Sequence, residues 1–524
     1  MNIWKVFARL ISANLIRAGL AIGSALVATG LLSASPARAA SCESLASVSL
    51  PNTTITKAEV VARGAFQIPA GTPAGPPGLP PASFADVPAF CRVEATLTPT
   101  SDSDIKVEVW MPVSGWNGKY QAVGGGGWAG VISYSAMADA VRAGYATSST
   151  DTGHVGGTGA FALGHPEKLV DYAYRSEHEM TVKAKALIEA FYGSATKHSY
   201  WNGCSTGGKQ GLTEAQRYPN DFDGIVAGAP ANYMIHLHSW SVAVNLAMNK
   251  TPASFVPKGK YATIHNAVLA ACDTLDGLKD GLITDPRLCH FDPKTIECKG
   301  NDQPSCLTAP QVEAVTAMYT PLVNPRTKQL IFPTFEPGSE LAWDMLAGRN
   351  PVGIAVDTFK YVIFKNPNWD YHTFDVSKDV DYADKVDGGL NNAINPDLRP
   401  FFSHGGKLVM YHGWNDQGIA PENSVNYYES VLKAVGPPAK SSLRLFMVPG
   451  MTHCRGGEGP NQFDMMPAIT TWVEDGKAPE KVIASHSTNG TVDRTRPLCP
   501  YPQVAKYKGT GSIDEASNFV CAAP

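Results

Sequence analysis

Three residues of the types used in nucleophilic catalysis stand beside short motifs rich in small residues. Ser205 lies in Gly203-x-Ser205-x-Gly207, a spacing typical of a strained turn that exposes a serine hydroxyl. A hydroxyl is a weak nucleophile at neutral pH, so it needs a base to take its proton and a carboxylate to orient that base. His453 is the candidate base and Asp416 the candidate carboxylate, and both follow the serine in the order expected for such a turn. The predicted chemistry is acyl transfer.

Each of these assignments has a competing interpretation. Asp416 competes with His412 and Glu422 nearby, and it is also a candidate cap for the helix that follows. His453 could instead be a surface or metal-binding histidine. Asp416 follows the predicted strand at 407–411 and His453 follows that at 443–448, and these positions favour them as partners of the serine. His404 and His412 are interpreted as structural residues.

Backbone N–H groups able to stabilise an oxyanion are predicted at two places. The N–H of Thr206 follows the serine at the positive end of a helix. A glycine run, 124–127, follows a predicted strand, and glycines let the backbone approach a substrate closely. Gly126 and Gly127 are therefore predicted as the second oxyanion donors, although a flexible turn is the alternative.

The residues next to the serine and the histidine are both cysteines, Cys204 and Cys454. If the serine and histidine meet, their neighbours can meet as well. A Cys204–Cys454 disulfide is therefore predicted to hold the two catalytic loops together and preorganise them.

Alternating strand and helix patterns surround these motifs. Strands are predicted at 105–110, 120–123, 198–201, 224–228, 407–411 and 443–448, and helices at 172–192, 209–217, 423–435 and 461–475. Strand, turn, helix and strand in this order predict a parallel sheet.

The alternation is lost over 236–396, where cysteines cluster and tryptophans and prolines are frequent. The predicted fold class is therefore α/β, an α/β-hydrolase core with a large inserted lid domain. We assign 40–235 and 397–524 to the catalytic domain and 236–396 to the lid, above the strand ends where such sheets bind ligands.

The N-terminal segment, residues 1–39, has the pattern of a secretory signal peptide. Basic residues precede an apolar stretch, and Ala37-Arg38-Ala39 resembles a cleavage site. The apolar stretch is too short for a spanning helix, and a lipoprotein site at Cys42 is a minor alternative. The predicted location is secreted or periplasmic, with no membrane contact after signal cleavage.

Composition narrows the class of partner. The net charge of -4 comes from 47 acidic and 43 basic residues without blocks of one sign, so no nucleic-acid partner is expected.

All ten cysteines follow the signal segment, which in an exported protein predicts five disulfides, with zinc ligation as the alternative. The residue pattern alone leaves the connectivity open. No organic cofactor is expected.

A run of carboxylates at short spacing lies between two of the cysteines, over 273–282. Aspartates and backbone carbonyls on a glycine-containing turn are ligands that Ca²⁺ accepts. The spacing departs from that of an EF-hand, and a pair of Asp-Gly turns is the alternative interpretation.

The Gly-Cys204-Ser205-Thr-Gly-Gly, Trp414-Asn-Asp416 and His453-Cys454 motifs together resemble those of the tannase and feruloyl esterase family, over roughly Cys42 to Cys521. The resemblance implies an α/β-hydrolase core with a lid and a structural Ca²⁺ in the lid, with ligands at Asp273, Asp276, Asp280 and the carbonyls of Leu278 and Leu282. It also implies five disulfides, namely Cys42–Cys91, Cys204–Cys454, Cys272–Cys289, Cys298–Cys306 and Cys499–Cys521.

The resemblance further implies a small-molecule aromatic ester as substrate, and a feruloyl esterase is the predicted activity. Tannase and mono(2-hydroxyethyl) terephthalate hydrolase are the alternatives, but the latter enzyme has a glutamate where this chain has Thr206. An inactive hydrolase fold that binds phenolic ligands and a peptidase are rivals from other classes. Aromatic residues of the lid are candidates for substrate contact or for lid core, namely Trp343, Phe359, Tyr361, Phe364 and Trp369.

Overall fold

A mixed β-sheet lies at the centre of the computed structural model, which describes residues 40–72, 83–128 and 130–524. The predicted signal peptide, 1–39, lies outside the described residues and stays a prediction. The strands of the described chain are β1 (Thr53–Val61), β2 (Phe90–Leu97), β3 (Ile105–Pro112), β4 (Lys119–Val123), β5 (Ala146–Thr150), β6 (His198–Cys204), β7 (Gly224–Gly228), β8 (Leu322–Val323), β9 (Leu330–Phe332), β10 (Lys407–Gly413), β11 (Leu443–Val448), β12 (Val482–Thr488), β13 (Thr491–Leu498), β14 (Val504–Tyr507) and β15 (Phe519–Ala522).

Nine of these described strands form the central sheet, in the order β1-β2-β3-β5-β4-β6-β7-β10-β11. The pairs from β1 to β5 are antiparallel, and those from β5 through β4, β6, β7 and β10 to β11 are parallel. Parallel strands end at the same edge of a sheet, so the loops after β4, β6, β10 and β11 lie near one another. These four loops carry the predicted catalytic residues.

Apolar residues cover both faces of the parallel strands. Successive residues of a strand point to opposite faces, and Tyr200 and Trp201 of β6 accordingly lie in two different buried clusters. The same holds for Ile225 and Val226 of β7, all of whose residues are buried. Burial on both faces explains why these strands read as short apolar runs rather than as alternating patterns.

Helices pack against both faces and fill the segment between β7 and β10. They are α1 (Tyr134–Arg142), α2 (Pro166–Val170), α3 (Ser176–Tyr192), α4 (Thr206–Arg217), α5 (Met234–Met248), α6 (Tyr261–Cys272), α7 (Ala309–Met318), α8 (Asp344–Ala347), α9 (Gly353–Asp357), α10 (Val376–Asp387), α11 (Arg399–Ser403), α12 (Glu422–Val435) and α13 (Met466–Asp475).

The segment between β7 and β10 contains α5 to α11 and only the short β8–β9 hairpin. Most residues of one buried apolar cluster lie in this segment, and Trp128 and Tyr172 from outside it also belong to that cluster. Helix α5 is buried around most of its circumference. The predicted boundary at 236 falls inside α5, which begins at Met234. As a separate lid domain this segment stays a prediction, since Ala39–Pro524 group as one compact unit.

Several predicted elements begin or end at other residues in the structure. The strand predicted at 198–201 continues to Cys204, and the helix predicted at 461–475 begins only at Met466. Asn461 and Gln462 instead form backbone hydrogen bonds with Ser485 in the middle of β12. Among the described residues, we find no helix with the length and apolar character that crossing a membrane requires.

Candidate active site

Ser205 lies in a strained turn between β6 and α4. Its φ of 65° and ψ of -123° lie outside the regions favoured by residues with a side chain. A Cβ on Gly203 would lie 2.5 Å from the carbonyl oxygen of Gly207, so only glycine fits there. The Ser205 N–H donates to the Gly228 carbonyl at 3.0 Å, which fixes the turn against β7. The turn therefore has the strained form predicted for an exposed nucleophile.

Asp416 is fully buried in the loop after β10 and accepts four hydrogen bonds. Nδ1 of His453 donates to its Oδ2 at 2.8 Å, and Nε2 of His412 donates to the same oxygen at 3.0 Å. The N–H groups of Gly418 and Ile419 donate to Oδ1 at 2.7 and 2.9 Å. Burial alone would raise the pKa of Asp416, but the two histidines hold that pKa well below its usual range. Asp416 is thus held as a carboxylate.

His453 follows β11 and is oriented by that carboxylate. Burial lowers the pKa of His453, but the charge of Asp416 and the hydrogen bond outweigh burial, and the net result is a raised pKa. Donation from Nδ1 to Asp416 leaves Nε2 as the nitrogen able to accept a proton when the ring is neutral. This is the tautomer that a general base next to a serine requires.

A disulfide joins the serine loop to the histidine loop. Cys204 and Cys454 are bonded, with their Cα atoms 6.0 Å apart. Ser205 and His453 are therefore neighbours across this bond. No hydrogen bond joins the Ser205 hydroxyl to His453 among the described residues, and such contacts often tighten only when a substrate binds.

The other four cysteine pairings implied by the family resemblance also form. They are Cys42–Cys91, Cys272–Cys289, Cys298–Cys306 and Cys499–Cys521, and no cysteine of the described chain is free. The connectivity that the residue pattern left open is thereby resolved.

The glycine run after β4 packs directly against the serine turn. A Cβ on Gly124 would lie 2.5 Å from Cα of Gly207, and the Thr206 hydroxyl donates to the carbonyl of Gly127 at 3.2 Å. Gly127 has a φ of 58°, which favours glycine. Gly126 and Gly127 thus lie in the loop that contacts Thr206, and their role as oxyanion donors stays a prediction.

Gln210 contacts the glycine run and was not among the residues predicted from the sequence. From the second turn of α4, its Oε1 accepts the N–H of Gly125 at 2.9 Å, and its Nε2 donates to the carboxylate of Glu177 on α3. Lys209 beside it is fully buried and donates to the Ala173 carbonyl. Burial lowers the pKa of Lys209 to about 8. This buried polar chain ties the glycine run to the helix that begins after the serine. Its signal in sequence is weak, because neither residue is part of the turn motif.

His412 also has a closer relation to the site than the predicted structural role suggests. It is fully buried at the end of β10, and its Nδ1 lies 2.7 Å from the Ser424 hydroxyl. A carboxylate only accepts, so Nε2 of His412 is the protonated nitrogen that contacts Asp416. Its position at a strand end, four residues before Asp416, is the signal that could have found it.

The candidate aromatic residues lie mainly in the core of the inserted segment. Trp343 and Phe359 are fully buried, and the indole N–H of Trp343 donates to the Ser339 hydroxyl at 3.0 Å. Phe364 and Trp369 are partly buried and pack against the same cluster, with ring centroids 5.3 Å apart. Trp343 and Phe359 therefore stabilise the segment.

The predicted calcium ligands share one loop. Asp273 Oδ1 accepts the N–H groups of Asp280 and Gly281 at 3.2 and 3.0 Å, and Asp276 Oδ1 accepts the N–H of Leu278 at 2.9 Å. Leu278 and Leu282 line a small cavity together with Asp276 and Asp280. The donor set of carboxylates and carbonyls suits a hard cation.

One of these carboxylates has a cationic partner. The guanidinium of Arg496 donates to Asp280 Oδ2 at 2.6 Å, and both side chains are buried. Burial raises the pKa of Asp280, and Arg496 opposes that shift. Asp273, Asp276 and Asp280 do not form a close cluster of ligand atoms within the described residues. A bound Ca²⁺ would require the Asp280 carboxylate to turn away from Arg496, or to contact the ion and the guanidinium together.

The parallel sheet with a strained serine turn after β6, and with an aspartate and a histidine after β10 and β11, defines an α/β-hydrolase. Comparison with known proteins goes further, since the profile of the family described as tannase and feruloyl esterase matches residues 91–522. The chain belongs to this family of carboxylic ester hydrolases.

Individual relatives agree with this family. An uncharacterized esterase of Xanthomonas campestris pv. campestris is 37% identical over 549 aligned positions, covering 95% of this chain and 93% of that protein. A probable feruloyl esterase B-1 of Aspergillus oryzae is 35% identical, covering 83% and 84% of the two chains. The crystal structure of feruloyl esterase B from Aspergillus oryzae superimposes with a TM-score of 0.86 at 34% identity, covering 92% of this chain and 99% of that one.

Proposed function

We propose that this chain is an exported serine esterase that hydrolyses esters of hydroxycinnamic acids, with Ser205, His453 and Asp416 as a catalytic triad. The observation that carries the proposal is the disulfide between Cys204 and Cys454. It holds the strained serine turn beside a histidine whose Nδ1 already donates to a buried carboxylate. No organic cofactor takes part.

Acylation uses these groups in turn. His453 Nε2 takes the proton of the Ser205 hydroxyl while the serine oxygen attacks the ester carbonyl. Asp416 stabilises the imidazolium that forms, and backbone N–H groups of Thr206 and of Gly126 or Gly127 stabilise the oxyanion. The imidazolium then gives its proton to the leaving alcohol, and the acid remains bonded to the serine.

Deacylation repeats these steps with water. His453 takes a proton from the water, which attacks the acyl-enzyme, and the serine oxygen leaves with that proton. Gln210 holds the glycine run throughout, since the N–H of Gly125 donates to its side chain. The His453–Asp416 hydrogen bond is already formed, so the orientation of the base needs no reorganisation during the reaction.

The substrate class is proposed from the relatives. Probable feruloyl esterases and a solved feruloyl esterase B match most of the chain, which supports esters of hydroxycinnamic acids before those of gallic acid. Thr206 follows the serine here, and its hydroxyl donates to Gly127. Mono(2-hydroxyethyl) terephthalate hydrolase has a glutamate at the position of Thr206, so we place tannase second and that hydrolase third.

A parallel assay of methyl ferulate, methyl gallate, mono(2-hydroxyethyl) terephthalate and a peptide anilide tests this proposal. The expected order of kcat/KM is ferulate above gallate above terephthalate, with no anilide hydrolysis. Ser205→Ala is expected to lose all ester hydrolysis, while Ser47→Ala, at an exposed serine, keeps it. Faster gallate than ferulate turnover would make the enzyme a tannase, and binding without turnover would support the phenolic-binding alternative.

Calcium, the lid and export complete the proposal. We propose that the 273–282 loop binds a structural Ca²⁺ through three aspartates and two carbonyls, and that 236–396 acts as a lid over the strand ends. A Ca²⁺ there would offset the negative charge of the loop and brace the segment. Five disulfides and the N-terminal pattern support signal cleavage and a secreted or periplasmic location.

A further inference from the structure

A second cluster of chemically capable side chains lies away from the serine. His178 on α3, Glu214 on α4 and Asp221 just after α4 each present one ligand atom, and these atoms lie within 4.8 Å of one another. The three residues are distant in sequence from the predicted calcium loop. Nothing in the esterase reaction uses them.

Glu214 is the unusual member of this cluster. Its side chain is fully buried, and neither carboxylate oxygen has a hydrogen-bond partner within the described chain. A buried carboxylate without a donor is costly, so it needs a cation or a proton. Burial raises the pKa of Glu214 well above its usual value, and the neighbouring carboxylates of Asp221 and Glu177 raise it further.

The ammonium group of Lys185 acts on Glu214 but does not donate a hydrogen bond to it. The Nζ atom of Lys185 donates to the backbone carbonyl of Asp221 rather than to a carboxylate. Its charge acts on Glu214 only through space, and burial lowers the pKa of Lys185 itself. The Glu214 carboxylate therefore faces His178 and Asp221 without a hydrogen-bond donor of its own.

His178 supplies a nitrogen at the accessible side of the cluster. Its Nδ1 lies 2.6 Å from Asp221 Oδ2, and its ring stacks on Tyr218 with centroids 3.8 Å apart. The imidazole is partly exposed, so an ion from solvent has a route in. One imidazole and two carboxylates form a donor set that suits Zn²⁺ and similar divalent transition metals.

We propose that His178, Glu214 and Asp221 bind one divalent transition metal ion of the zinc class. Nδ1 of His178, an oxygen of Asp221 and an oxygen of Glu214 are its three protein ligands, with water completing the coordination. Protons displaced from these atoms when the ion binds pass to solvent. The ion joins α3 to the C-terminal end of α4, the helix that begins directly after Ser205. Its role is structural, and the proposal is independent of which ester the enzyme hydrolyses.

The test uses the full mature chain with its disulfides intact. A chelator removes bound metal ions, and the protein is then returned to buffer with excess CaCl₂ to fill calcium sites. Zinc content after gel filtration, calorimetric titration with ZnCl₂ and Tm are measured. CoCl₂ provides a visible spectrum that reports imidazole and carboxylate ligation. Glu214→Gln and His178→Phe are the test variants, and Glu189→Gln, an exposed carboxylate on α3, is the matched control.

We expect one zinc per wild-type chain, a Tm raised by at least ~2 °C at zinc concentrations about 100-fold above Kd, and affinity at least ~10-fold weaker in both test variants. Glu189→Gln should match wild type. Absence of stoichiometric zinc, or a zinc affinity of Glu214→Gln equal to that of wild type, would overturn the proposal. The alternative is then a protonated Glu214 that donates a hydrogen bond to Asp221. If Glu214→Gln does not fold, His178→Phe, which keeps the stacked ring, decides the question by the same measurements.

Discussion

Replacing Cys204 and Cys454 together with alanine is expected to reduce both stability and catalysis. This disulfide spans 250 residues and joins the loops that carry Ser205 and His453. The Cys298–Cys306 disulfide spans only 8 residues within the inserted segment and provides the matched control. The two disulfides differ in loop length and in their relation to the proposed site. Stability and kcat/KM are measured separately, so the effect of each disulfide on stability can be distinguished from its effect on catalysis.

The stability effect follows from chain entropy. Closing a loop of this length lowers the entropy of the unfolded chain and raises the free energy of unfolding by ~5 kcal/mol, whereas closing the short loop raises it by ~2.5 kcal/mol. Measured effects often fall below these values. The catalytic effect is separate, because loss of the clamp lets the serine turn and histidine loop move apart. A misplacement of about 1 Å can reduce the rate by ~10²-fold.

The assay measures denaturant unfolding and kcat/KM on methyl ferulate well below the Tm of every variant. We expect the Cys204/Cys454 double variant to lose more stability than the Cys298/Cys306 double variant and about 100-fold in kcat/KM, while the control keeps its activity. Undiminished kcat/KM in a folded Cys204/Cys454 double variant would refute the reasoning that the bond preorganises the catalytic pair.

Three further predictions follow from the site. The pKa of His453 is raised and catalysis needs its neutral ring, so kcat/KM should fall as the pH falls through that raised pKa. In Asp416→Asn the midpoint of this pH profile should move to lower pH, and kcat should drop ~10⁴-fold. A midpoint that does not move in Asp416→Asn would contradict this prediction. Gln210→Leu removes the acceptor for the Gly125 N–H and should lower kcat about 10-fold with little change in KM, whereas equal kinetics in Gln210→Leu and wild type would exclude a positioning role. Chelation with EGTA should lower the Tm of wild type but not of Asp276→Asn, and a Tm indifferent to EGTA would remove the lid calcium.

Local sequence predicted the elements that position the site. The strands Gly224–Gly228 and Leu443–Val448 have the predicted bounds, because short apolar runs bounded by turn residues are typical of strands buried on both faces. The serine turn was predictable because glycines at Gly203 and Gly207 are typical of a strained turn, and a Cβ on Gly203 would lie 2.5 Å from the Gly207 carbonyl oxygen. The disulfide between Cys204 and Cys454 was predictable because each cysteine adjoins a residue of the proposed site.

Contacts between distant segments were not predictable in this way. The start of α13 at Met466 depends on backbone hydrogen bonds between Gln462 and Ser485, which no local pattern encodes. Likewise, Gln210 reaches a glycine 85 positions earlier, and only the packing of α4 against the loop after β4 reveals that contact. The Arg496–Asp280 pair joins positions 216 apart, so the carboxylate-rich loop alone gave no sign of it.

Active-site labelling tests the central claim most directly. A fluorophosphonate probe reacts only with a serine whose proton a nearby base removes, so the mass of the labelled peptide identifies the nucleophile. We expect one label per chain, on Ser205, with labelling abolished in Ser205→Ala and strongly slowed in His453→Ala. Stoichiometric labelling of another serine, or an unchanged labelling rate in His453→Ala, would contradict the proposed Ser205–His453–Asp416 relay.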